Sequence, residues 1–135
     1  MSEDLEMQKR KLRARKTLEE VSKMRGMGTE LVTVIIPPEK MLSDVRHHLN
    51  QEGGQAANIK SKGTRKHVTD AIESAVSTLG RYKTPGERGI ALFVGHVITG
   101  NNKTRLISVV VDDPPEAFPS FRYRCDSSFE ASQLE

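Results

Sequence analysis

The stretch Leu31-Val32-Thr33-Val34-Ile35-Ile36, closed by Pro37-Pro38, decides the fold. It is β-branched and almost wholly apolar, so it reads as a central strand buried on both faces. Such a strand needs cover on each side, and its flanks supply it. Upstream, residues 3–25 read as a helix with Leu5, Leu12, Leu18, Val21 and Met24 near helical or heptad steps, ended by Gly26-Met27-Gly28. Downstream, a second helix is expected from Glu39 to Glu52, with Met41, Leu42, Val45 and Leu49 on one face and Gly53-Gly54 as its stop. A third carries Val68, Ala71, Ile72, Ala75, Val76 and Leu79 in an i, i+3, i+4, i+7 stripe and ends at Gly80. Its start lies between Asn58 and Thr64, where Asn58, Ser61 and Thr64 all qualify as caps.

Residues 90–94 and 105–111 read as two strands joined in a hairpin through Gly100-Asn101-Asn102-Lys103. Residues 121–125 alternate as a last strand, and Ser128 is placed to cap a terminal helix beginning near Phe129. This order implies an α/β (α+β) fold. A mixed four-stranded sheet carries helices on both faces, and a two-helix hairpin presents the turn at 58–61. No repeat or linker divides the 135 residues, so one domain is expected, and because residue 135 falls inside an incipient helix, that domain reads as excised from a longer protein.

Composition narrows the function. A single cysteine, Cys125, excludes a disulfide framework and fits a reducing cytosol. The polar, acidic start Met1–Gln8 is no signal peptide, and no apolar run approaches the ~20 residues that cross a bilayer. A soluble, intracellular protein is expected. The net charge is only +3, but six of the eight residues 9–16 are cations, and Lys60, Lys62, Arg65 and Lys66 form a second cluster. Such patches suit an anionic partner or a solvated helix face.

The familiar chemistries find no support. His47, His48 and Cys125 lack the spacing of metal ligands, no glycine-flanked serine sits on a strand–turn–helix, and Gly26-Met27-Gly28 follows a helix rather than a strand. No catalytic residue, metal or cofactor is assigned. His47 and His48 are read as rim or solvent residues, and Asp112-Asp113 as part of a solvated loop. Recognition chemistry remains. Lysine on a tight turn can donate to base carbonyls or neutralise phosphates, aromatic rings can stack on unpaired bases, and carboxylates can accept from exocyclic amines. By these residues alone a single-stranded RNA module and a protein-binding α/β domain explain the chain equally well.

Three motifs favour the first. Asn58-Ile59-Lys60-Ser61 resembles the NIKS signature in the N-terminal domain of class-1 translation termination release factors of the archaeal and eukaryotic type. Tyr123-Arg124-Cys125-Asp126-Ser127-Ser128-Phe129 is similar to that family's Tyr-x-Cys-x-x-x-Phe motif, and Gly28-Thr29-Glu30 stands where the family carries Gly-Thr-x. The order and spacing agree over nearly the whole chain. The resemblance implies a decoder of the stop codons UAA, UAG and UGA that acts in the ribosomal A site, at the decoding centre of the small subunit. Lys60 is then the contact to the first uridine, with Asn58, Ile59 and Ser61 shaping the turn. Gly28, Thr29, Glu30, Glu52, Tyr123, Cys125 and Phe129 match positions linked to the two purines, and Lys62 and Arg65 match basic positions that hold phosphates or rRNA. Glu30 in place of the eukaryotic serine points to the archaeal version.

The same resemblance implies a cytoplasmic monomer, a translational GTPase as partner of the complete factor, and peptidyl-tRNA hydrolysis in a domain beyond this one. Gly53-Gly54-Gln55 spells the tripeptide that promotes that hydrolysis in complete factors. Here it is read as a helix stop, not a catalytic loop, so neither a hydrolase using Gln55 nor a stand-alone interaction domain is preferred.

Overall fold

In the computed structural model, which describes residues 2–131, three helices and four strands follow one another as α1 (Ser2–Ser22), β1 (Leu31–Ile36), α2 (Leu42–Ala56), α3 (Lys62–Leu79), β2 (Ile90–Gly100), β3 (Lys103–Val111) and β4 (Arg122–Asp126). The strands form one sheet in the order β3-β2-β1-β4. All six residues of β1 are buried, and it pairs with β2 on one edge and β4 on the other. The unalternating apolar run therefore does what a two-face-buried strand does.

The sheet is antiparallel throughout, not mixed. The connection from β1 to β2 is a pair of helices. α2 carries the chain away from the end of β1 and α3 carries it back, so β2 starts beside that end, with Ile36 opposite Ile90. One crossover helix would have given a parallel neighbour.

Pleating sorts the core into two layers. Val32, Val34 and Ile36 of β1 and Ile90, Leu92 and Val94 of β2 meet Leu42, Val45, Leu49, Val68, Ala71, Ile72 and Leu79 of the helix pair. On the other face, Leu31, Ile35, Ala91 and Phe93 meet Leu18 and Val21 of α1 together with Phe118 and Phe129. Helices thus cover both faces. Only the last third of α1 takes part, for Leu5 and Leu12 stay 53% and 68% exposed.

Several boundaries differ from expectation for local reasons. α2 begins at Leu42, because Pro37 to Lys40 close a turn through the Lys40 amide and the Pro37 carbonyl at 3.2 Å. It also runs through Gly53-Gly54 and ends only at Ala56. Glycine costs a helix ~1 kcal/mol, while Ala56 is buried in the core that α2 shares with α3, and that burial keeps the last turn helical. β2 continues past Val94 to Gly100 because β3 pairs with it residue by residue from Ala91 to Ile98. Gly95 serves that extension, since a Cβ there would come within 3.1 Å of the Glu30 carbonyl oxygen. The hairpin turns on Asn101 and Asn102, both with positive φ (49° and 63°), the geometry of a two-residue primed turn. Residues 129–131 follow β4 without regular structure, and the rest of the expected terminal helix lies outside the described residues. No described helix is long and apolar enough to cross a membrane.

Candidate nucleic-acid interface

The hairpin of α2 and α3 turns on residues 57–61, and the turn is held by its own backbone. The Asn58 and Ile59 amides donate to the Gln55 and Ala56 carbonyls at 3.0 and 3.1 Å. Ser61 takes extended backbone angles as the N-cap of α3, and its hydroxyl accepts from the Thr64 amide at 3.3 Å. Of the three caps allowed by the sequence, Ser61 is the one used. The Arg65 guanidinium reaches back to the Ile59 carbonyl at 3.3 Å, which ties the first turn of α3 to the loop before it. With the backbone satisfied internally, Asn58, Lys60, Ser61 and Lys62 are left exposed, while Ile59 is half-buried against the core. Arg65, expected to hold a phosphate, is half-buried and already engaged as a brace.

Beside the turn lies a cavity of about 580 Å³, lined by Thr29, His48, Glu52, Gln55, Ala56, Ile59, Val68, Tyr123, Arg124 and Cys125. Four elements meet there. α2 contributes His48, Glu52 and Gln55, one helical turn apart or less, and His48 Nε2 lies 3.8 Å from Glu52 Oε1. β4 contributes Tyr123 and Cys125, which share the sheet face under the hairpin because they are two residues apart. Their hydroxyl and thiol meet at 3.1 Å. His48 packs edge-on against Tyr123 and Phe121, with ring centroids 5.5 Å away in each case. Burial, reinforced by the Cys125 contact, pushes the Tyr123 hydroxyl well above the ordinary phenol range. Burial likewise pushes the Cys125 thiol up, with the Tyr123 contact opposing it and Glu52 adding to it. Both groups stay neutral near pH 7, where they donate or accept hydrogen bonds.

Thr29 enters the cavity on the loop between α1 and β1. That loop is drawn in by Glu30, which is 2% exposed. Its Oε1 accepts from the Met27 amide at 3.2 Å, and Oε2 lies 3.0 Å from His67 Nδ1 on α3, off the line of a well-formed hydrogen bond. His67 stacks on His96 of β2 at 4.0 Å, and His96 Nε2 lies 3.1 Å from Asp70 Oδ2. A buried carboxylate is costly unless paired and hydrogen-bonded, and this chain of contacts bolts the loop to α3 and β2. Gly26 lets it fold so tightly, since a Cβ there would sit 3.2 Å from Leu31 and Glu30 side-chain atoms.

Of the residues singled out in the sequence, Thr29, Glu52, Ile59, Tyr123 and Cys125 come together on the cavity, and Asn58, Lys60 and Ser61 are exposed on the turn that adjoins it through Ile59. Gly28, Lys62 and Arg65 do not line it, and two others are turned into the core. Glu30 is turned inward as the anchor of its loop. Phe129 is 5% exposed and packs edge-on against Phe93 at 5.7 Å on the opposite face of the sheet, so it is a core residue turned away from the cavity. His48 and Gln55 are additions that sequence reasoning missed. The four-residue spacing of His48 and Glu52 was their available signal. Gln55, read as part of a helix stop, is an exposed residue of the last turn of α2 and lines the cavity. Among the described residues no cluster of His, Cys, Asp and Glu could hold a metal ion.

Residues 9–135 match the family described as eRF1 domain 1. The peptide chain release factor subunit 1 of Picrophilus torridus is 46% identical over 121 residues, which cover 90% of this chain and 29% of that protein. That of Thermoplasma acidophilum is 43% identical over 126 residues, or 93% and 30%. Among solved structures, one described as an archaeal protein is similar with a TM-score of 0.86 at 31% identity, over 92% of this chain and 34% of the other. The crystal structure of the archaeal translation termination factor aRF1 is similar with a TM-score of 0.80 at 33% identity, over 93% and 34%. The chain spans about a third or less of the length of these relatives. Fold, sequence and motif order agree, and the chain belongs to the eRF1 domain 1 family.

Proposed function

We propose that this chain, as the decoding part of a cytoplasmic peptide chain release factor, reads mRNA stop codons in the ribosomal A site. The observation that carries the reading is the convergence of Thr29, Glu52, Tyr123 and Cys125, from three separate parts of the sequence, on one cavity beside an exposed lysine turn. Codon reading requires donors and acceptors of fixed position around unpaired bases. Lys60 donates to the O4 carbonyl of the first uridine, a group that cytidine replaces with a donor. Asn58 and Ser61 hold that turn in shape. Glu52 accepts from an adenine amino group. The Thr29 hydroxyl and the Gln55 amide can each donate or accept, so they tolerate adenine or guanine. Lys62, exposed at the start of α3, neutralises phosphate.

Peptidyl-tRNA hydrolysis lies in the part of the factor outside this chain. The complete factor works as a monomer with a translational GTPase. The competing reading is a stand-alone protein-interaction domain, and photo-crosslinking separates the two. Ribosomes programmed with a stop codon carrying 4-thiouridine at its first position should label residues 58–61 of the bound factor. Label elsewhere on the chain, or equal labelling from a sense codon, sinks the decoding assignment.

A further inference from the structure

The cations at 9–16 take no part in the cavity, and they sit on the face of the sheet opposite to it. α1 packs there through Leu18 and Val21, so the half of the helix before Ala14 stands clear of the core. Over residues 9–16 there are six cations and no carboxylate. Part of that charge is used internally. Arg10 Nε and Arg13 reach Asp113 Oδ2 at 3.0 and 3.5 Å, and Lys9 lies 3.9 Å from Glu6. Lys11, Arg15 and Lys16 are exposed, and among the described residues they form no ion pair. At 1.5 Å per residue the run extends over ~10 Å of helix.

We propose that this segment of α1 is a second RNA contact, one that grips the phosphate backbone of a base-paired RNA without reading its sequence. It deepens the decoding reading and rests on it for the biological source of the RNA, the ribosomal RNA around the A site. Three features favour RNA over an acidic protein. Lys11 and Arg15 lie one helical turn apart on the same side of α1, with Lys16 next to Arg15, a spacing that suits successive phosphates of one backbone. Aromatic side chains for stacking are absent from α1, so unpaired bases are not its ligand. The helix lies across the sheet from the codon cavity, so both surfaces can be occupied at once.

The test measures binding of the chain to a fluorescein-labelled RNA duplex of about 16 base pairs, lacking single-stranded ends, over a series of KCl concentrations. Each phosphate contact contributes about 0.7–0.9 to the slope of log K against log salt. Lys11→Gln, Arg15→Gln and Lys16→Gln together should lower the slope by about two to three and weaken binding about tenfold or more at low salt. The single variants Arg15→Gln and Lys16→Gln, each lowering it by just under one unit, keep the test sharp if the triple variant folds poorly. The charge-conserving set Lys11→Arg, Arg15→Lys and Lys16→Arg should restore the slope. Lys60→Ala should leave duplex binding unchanged, which separates this surface from the codon turn: failure of the crosslinking experiment would not touch this result. An unchanged slope in the glutamine variants, no binding by the parent chain, or equal competition by polyglutamate overturns the proposal, the last in favour of an acidic protein partner.

Discussion

The turn at 58–61 and the loop at 26–30 border the same cavity, yet they are held by opposite means. The turn is an exposed backbone structure, closed by amide–carbonyl bonds, a serine cap and one arginine brace, with the Asn58 and Lys60 side chains exposed. The loop is pulled into place by one buried carboxylate, and Thr29 is positioned as a consequence. Exposed side chains of the turn can therefore be exchanged with small effect on folding, and under the proposed function such exchanges bear on decoding instead. In the loop the same residue that fixes the geometry also bears on stability.

That contrast can be broken by mutation. The largest effect is expected for Lys60→Ala in the complete factor. Peptide release on stop codons should fall by about 10- to 100-fold, the loss of one charged hydrogen bond worth ~1.5–3 kcal/mol, while the melting temperature of the chain stays put. A drop in stability of similar size would show that the turn and loop are held alike. Next comes Glu30→Ala, which removes the acceptor of the Met27 amide and the carboxylate beside His67 and should destabilise the chain by ~1–3 kcal/mol in denaturant titrations. Glu30→Gln keeps an acceptor for Met27 and should cost less. If both variants unfold at the parent's denaturant midpoint, the anchoring role of Glu30 is wrong.

Ser61→Ala removes the cap of α3 and should cost ~1 kcal/mol, with release activity reduced only as far as the turn loosens. The smallest effect concerns pH. The Arg88 guanidinium holds the Asp113 carboxyl below its ordinary 3.8, against burial, which opposes it, and with Arg10 adding to the lowering. The unfolded chain then binds more protons than the folded one just below that value. The contribution is complete above pH 3.8 and lost as pH falls through the depressed pKa. Asp113 is well exposed, so the effect should not exceed ~1 kcal/mol. Arg88→Ala should flatten the acid limb of the stability curve, and an unaltered limb would rule the pairing out.

Much of this was legible in the residues themselves. The unbroken apolar run at 31–36, the stripe on α3 and the double asparagine of the hairpin are local patterns with local physical causes. Tyr123 and Cys125 could be placed on one sheet face from their spacing alone. Failures came where a distant contact outvoted a local signal. Gly53-Gly54 looks like a helix stop, but Ala56 has a core to enter. Phe129 belongs to a recognisable motif, but Phe93 claims its ring on the far side of the sheet. Glu30 looks like a polar loop residue, and nothing nearby in sequence announces His67 as its partner.

By itself the sequence determined the strands and helices, the exposed basic turn and the motifs that carry the family resemblance, because these rest on periodicity, turn chemistry and residue identity over short spans. Only the tertiary structure decided that the sheet is wholly antiparallel, that His48 and Gln55 join the cavity, and that Glu30 is turned inward against the Met27 amide. Those outcomes depend on which side chains meet across dozens of residues. Burial then sets what each meeting is worth, since a carboxylate harmless on the surface must find partners once it is inside.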